Sequence, residues 1–167
     1  ISTDDVTAVN PLSNGGVAVF SSQGRPIFYD VEWFVFSDRT VSLDILLRLD
    51  DIFGTPGNDS LVGTTSGDNM FGLEGDDTLD GDAGNDSIEG GLGDDSILGS
   101  NGFDTLIGDA GDDTLIGGSR NDSILGGEGQ DSIQGGLGRD TASGGAGDDT
   151  LNGGDSPDLI TGDAGDD

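Results

Sequence analysis

From Gly54 to Asp167 the chain repeats every nine residues, and the register never slips. Successive nines read GTPGNDSLV, GTTSGDNMF, GLEGDDTLD and so on, through twelve complete units and a truncated thirteenth, GDAGDD. Position one is Gly and position six is Asp in all thirteen. Position eight is Leu, Ile or Met in eleven of twelve units, the exception being Ala142. Position seven is Ser or Thr in ten of twelve, with Asn69 and Leu159 departing. A fixed short period marks a repeat architecture, in which each unit buries its apolar face only against its neighbours.

Each column implies a physical job. Gly at positions one, two and four suits backbone with positive φ or close approach, as a tight loop demands. Positions seven to nine read as a very short strand whose middle side chain points inward. Six residues of turn and three of strand then make a half-coil, so odd and even units supply opposite sheets. With strands ~4.8 Å apart, six coils would stack to about 30 Å. The inward column is Leu61, Met70, Leu79, Ile88, Ile97, Leu106, Leu115, Ile124, Ile133, Ala142, Leu151 and Ile160. One aliphatic side chain in nine residues is a thin core for so Gly-rich a chain.

Charge sharpens the difficulty. Residues 54–167 hold 30 of the 33 Gly, and their 26 acids against two Arg give −24. A hard divalent cation answers both the thin core and the repulsion. Calcium takes six to eight oxygens from carboxylates and backbone carbonyls, whereas magnesium holds to tight octahedral geometry and keeps its waters. Two Asp side chains from loops stacked one above the other would balance one Ca²⁺. The position-six column supplies the candidates: Asp59, Asp68, Asp77, Asp86, Asp95, Asp104, Asp113, Asp122, Asp131, Asp140, Asp149, Asp158 and Asp167.

The repeat resembles G-G-x-G-x-D-x-U-x, the signature of the RTX (repeats-in-toxin) calcium-binding proteins, over 114 of 167 residues. That resemblance implies an all-β fold, a parallel β-roll (a right-handed two-sheet β-solenoid) with calcium between successive turns along each edge. It implies that one loop gives the carbonyls of positions one and three and its Asp, while the stacked neighbour gives the carbonyls of positions two and four and its own Asp. Carried over, the carbonyl ligands include Gly72, Gly75, Gly90, Gly91, Gly93, Gly108, Gly111, Gly126, Gly127, Gly129, Gly144, Gly145, Gly147 and Gly165. About six to eleven Ca²⁺ are expected. Seven odd loops make six interloop sites. Of five even-edge sites, those at the Gly63, Gly117 and Gly153 loops are expected to be weak, because Ser66, Arg120 and Ser156 replace Gly at position four. The family also implies a secreted, extracellular bacterial protein.

Residues 1–53 differ in kind. They hold seven of the nine aromatics and three of the 33 Gly, and eight acids against three Arg give −5. A turn at Asn14-Gly15-Gly16 leads into a strand at Val17–Phe20, and Ile27 to Phe36 is a β-rich run. Ser37 to Thr40 reads as a turn, Val41 to Leu43 as strand or helix entry, and a short helix is expected near residues 43–52. The whole reads as a small β-rich flank or cap for the solenoid end at residue 54.

Composition removes other classes. Without Cys or His there is no disulfide, thiolate or imidazole zinc site, or His-served nucleophile. A net charge of −29 opposes nucleic acid and anionic membrane surfaces. Apolar runs of about four residues fall far short of the ~20 needed for a membrane span. No EF-hand spacing appears. Paired carboxylates such as Asp94–Asp95 recur in five of the thirteen units, whereas a glycosidase pair would occur once, so the chain is read as non-enzymatic. Position nine faces outward yet is apolar at Leu98, Ile107, Ile116 and Leu125, either tolerated decoration or a surface for protein contact. The expectation is a calcium-binding module of a larger secreted bacterial protein, joined to the rest of its parent polypeptide and folding on calcium outside the cell. The alternatives are an adhesin or surface-layer segment, or an accessory module of a secreted polysaccharide- or protein-modifying enzyme. Ile1 is neither an initiating Met nor the start of a signal peptide, which fits a processed or excised piece.

Overall fold

The computed structural model describes residues 8–11, 17–20, 26–28 and 51–167. The chain divides into two compact units, Ile1–Ile45 and Leu46–Asp167. In the first, β1 (Ala8–Pro11), β2 (Val17–Phe20) and β3 (Pro26–Phe28) form an antiparallel sheet in that order, with Val19 opposite both Val9 and Ile27. The strand expected at Val17–Phe20 is β2. Ser37 to Thr40, Val41 to Leu43 and most of the Ile27–Phe36 run lie outside the described residues.

The second unit is a two-sheet parallel β-solenoid of about six turns. One sheet stacks β4 (Asp51–Phe53), β6 (Asn69–Glu74), β8 (Ser87–Leu92), β10 (Thr105–Ala110), β12 (Ser123–Glu128), β14 (Thr141–Ala146) and β16 (Leu159–Ala164). The other stacks β5 (Ser60–Val62), β7 (Thr78–Asp80), β9 (Ser96–Asn101), β11 (Thr114–Ser119), β13 (Ser132–Leu137) and β15 (Thr150–Asp155). Every partner lies 18 residues away, as Leu106 opposite Ile88 and Ile124 shows. Alternate units therefore do feed opposite sheets.

Two expectations change. Most strands run for six residues rather than three, because positions one to three also align with the next coil, as Ala110 does with Glu128. The turn shrinks to positions four to six. The short helix expected near 43–52 meets strand instead at Asp51 and Ile52, while residues 43–50 lie outside the described residues. The reason is periodic: Asp51-Ile52-Phe53 is itself a polar–apolar–variable triplet one unit upstream of Gly54, and Ile52 pairs with Met70. Phe53 then stacks on Phe71 with ring centroids 4.9 Å apart.

The core is the inward column. Met70, Leu79, Ile88, Ile97, Leu106, Leu115, Ile124, Ile133 and Ala142 are buried, with Ile52, Leu61 and Leu151 packed partly buried against them. Ile160, expected inward, is 38% exposed on β16, which has a neighbouring strand on one side only. The outward apolar residues pair as Leu98 with Ile116 and Ile107 with Leu125. These pairs lie on opposite sheets, so they do not merge into one face.

Candidate metal centre

The position-six carboxylates sit where each strand leaves its turn. Ten of them, from Asp68 to Asp149, are buried, although each belongs to a loop at the edge of the roll. Asp59 and Asp158 are half-buried and Asp167 is exposed. Two hydrogen-bond ladders hold the loops in stack. In the first, Oδ1 of each position-six Asp from Asp77 onward accepts the N–H of the position-six Asp one coil earlier: Asp77 donates to Asp95 and Asp95 to Asp113, both at 2.8 Å. The second runs in the opposite sense at position five. There Asp112 donates its N–H to Asp94 Oδ1 and Gln130 donates to Asp112 Oδ1, at 2.9 and 2.8 Å. On the other edge Asn85 and Asn121 accept from Phe103 and Arg139.

The second carboxylate oxygen is different. Oδ2 of Asp77, Asp86, Asp95, Asp104, Asp113, Asp122, Asp131, Asp140 and Asp149 is buried and has no hydrogen-bond partner. A buried anionic oxygen left unpaired is costly, and native proteins rarely tolerate one, let alone nine in two rows. Burial pushes the carboxyls of Asp95 and Asp104 up to about 6 and those of Asp113 and Asp122 up to about 7; it raises Asp86 and Asp131 too. The N–H bond from the preceding coil opposes this, and the neighbouring carboxylates add to it.

Loop carbonyls complete a hard-oxygen environment. Among the described residues, no backbone N–H bonds a position-four carbonyl. Position-three carbonyls are engaged: Leu92 and Ala110 accept from Gly75 and Gly93 of the preceding coil. Among the described residues no three acidic or His side chains converge, so any cation held here would draw on carbonyls as well as carboxylates. The donor chemistry fits calcium: anionic and neutral oxygens, no nitrogen or sulfur.

The glycines divide by role. At position one, Gly72, Gly90, Gly108, Gly126 and Gly144 lack positive φ, but a Cβ there would collide with the Asp Oδ2 of its own unit and a carbonyl of the next coil. At positions two and four the backbone has positive φ in most units, as at Gly91, Gly127 and Gly145 and at Gly75, Gly93, Gly111, Gly129, Gly147 and Gly165. The even edge adapts at two of the three loops where Gly is missing, Ser66 being the exception. Arg120 and Ser156 take φ of 81° and 93° at position four, and Asp122 Oδ2 stays as orphaned as its odd-edge counterparts. The Arg120 guanidinium lies 5.1 Å from the centre of the Phe103 ring, a cation–π contact at the surface. The side chain expected to weaken the Gly117 loop is thus engaged elsewhere.

Sequence reasoning missed the position-five ladder. Its signal was a column rich in Asn and Asp, obscured by Phe103, Gln130, Arg139 and Pro157. Comparison with protein-family models finds the RTX calcium-binding nonapeptide repeat matching residues 53–88, 71–106, 89–124, 107–142 and 143–167. No curated protein matches the chain.

Proposed function

The chain belongs to the RTX calcium-binding nonapeptide-repeat family, characteristic of secreted bacterial proteins, and from that premise we propose that its loops hold calcium in a row along each edge of the roll. The position-six Asp residues would supply Oδ2, and the loop carbonyls, position four foremost, the neutral oxygens. Bound calcium supplies two positive charges and room for six to eight oxygens. The observation that carries this reading is the set of nine buried, unpartnered Oδ2 atoms.

The role is structural rather than catalytic. Nine loops carry the same orphaned carboxylate, and repeated sites stabilise a scaffold instead of singling out one reacting centre. With −29 net charge the chain would stay expanded where calcium is scarce and fold where calcium is plentiful, which suits folding outside the cell after export. Among the described residues no helix is long and apolar enough to cross a membrane. Service to a larger parent polypeptide, as an adhesin segment or beside a catalytic domain, is compatible with this role.

The test is circular dichroism of the chain in chelator and after dialysis into calcium or magnesium. Residues 51–167 should lose most β signal in chelator and regain it cooperatively in millimolar calcium, but not in magnesium. Full β signal and an unchanged melting temperature in chelator would refute metal-coupled folding.

A further inference from the structure

The rows of unpartnered carboxylates have a defined start. In the first two units, Asp59 and Asp68 carry no orphaned oxygen. Thr55 and Thr64 each donate the backbone N–H to Oδ2 of the Asp four residues on, at 2.6 Å. Their hydroxyls donate to the same oxygens at 2.9 and 3.0 Å. No later unit repeats this pair of bonds among the described residues.

The cause lies at position two. In all eleven later units this residue has positive φ, between 65° at Asp82 and 131° at Gly127, whether it is Gly, Asp, Ser or Leu. Thr55 and Thr64 do not. A β-branched side chain strongly resists that region, so the loop keeps ordinary backbone and its position-two N–H turns onto the carboxylate. A second observation agrees. Measured from a Cβ placed on the position-one Gly, Oδ2 lies 3.0 and 2.9 Å away in these two units and no more than 2.7 Å in every later one. The Asp oxygen is drawn off towards the threonine.

We propose that Thr55 and Thr64 set where the two calcium rows begin. This rests on the calcium reading above. The protein itself satisfies Asp59 and Asp68, so the first coil takes no metal, and the rows start at Asp77 on one edge and Asp86 on the other. Pairing each Asp with the one 18 residues on gives five sites from Asp77 to Asp167 and four from Asp86 to Asp158. The full chain then holds nine ions rather than the eleven that thirteen loops would allow.

Native mass spectrometry of the full chain, at the lowest calcium that saturates it, reads the count directly. Asp59→Asn with Asp68→Asn should bind as many ions as the unsubstituted chain, while Asp95→Asn with Asp104→Asn should bind fewer. Thr55→Gly with Thr64→Gly, which frees position two to adopt positive φ, should gain two. Loss of ions from the Asp59/Asp68 variant, or eleven ions in the unsubstituted chain, would overturn the proposal. No gain in the threonine variant would overturn the assigned cause. A chain that binds no calcium in any form would instead refute the calcium reading itself.

Discussion

Leu106 is fully buried, and it sits directly between Ile88 and Ile124 of the coils on either side. With one such residue per unit, only the column of the other sheet shares the core and could close on a vacancy. Leu106→Ala should therefore cost about 2–5 kcal/mol in the calcium-loaded protein, read by denaturant unfolding. Ala142 is the natural counterpart, 1% exposed in a column otherwise filled by larger side chains. Ala142→Leu should stabilise the loaded form by about 1 kcal/mol, the scale of cavity filling. A clear loss of stability would show that the coil at β14 has no space to give. Both substitutions concern residues whose burial the period alone foretold, because position eight is in phase with the Asp column and no turn residue intrudes.

At the scale of a strand and its loop, the electrostatics set a direction with pH. The buried Asp113 and Asp122 carboxyls titrate near 7 in the folded chain, against 3.8 for an ordinary Asp. A raised acid pKa means the folded state binds more protons than the unfolded state throughout that interval. Without metal, folding is thus penalised above pH 7, and the penalty is released as pH falls towards 4. In chelator, the β signal should rise on acidification from pH 7 to pH 4.5; a signal that is flat or falls would contradict the burial of these carboxylates. With metal the sign reverses, since protons compete for the same oxygens, and calcium affinity should fall over the same range. The Asp column behind this behaviour was plain in the sequence. Strand length was not, because Gly-rich positions one to three are poor strand formers in isolation, and only stacking against an identical coil draws them into the ladder. Nor was the position-five ladder, since its donors are backbone N–H groups that any residue but Pro supplies. The threonine bonds in the first coil depend on the sign of φ at one residue, which no column of letters displays.

For the whole chain, the charge of −29 and the identical coils pull against each other. In chelator the hydrodynamic radius should be that of an expanded polyanion, and calcium should contract it; equal radii in the two conditions would argue that the coils hold without metal. Identity of the coils has a further result. Deleting Gly126–Ser143 removes two whole units and leaves Leu125 joined to Gly144 in register. That variant should still fold in calcium and measure about 4.8 Å shorter by small-angle scattering, one strand spacing. Deleting only Gly126–Gly129 places later Asp residues out of phase and should abolish the calcium-induced β signal.

The 18-residue spacing of every strand partner makes this polypeptide a graduated ruler. Adding or removing two units lengthens or shortens it by one fixed division and leaves both ends facing as before. Adding or removing a single unit sends the chain out from the opposite edge, half a turn around. Gene duplication in steps of 27 bases can therefore tune how far apart, and at what angle, the roll presents whatever is fused to it, without redesigning a single contact inside.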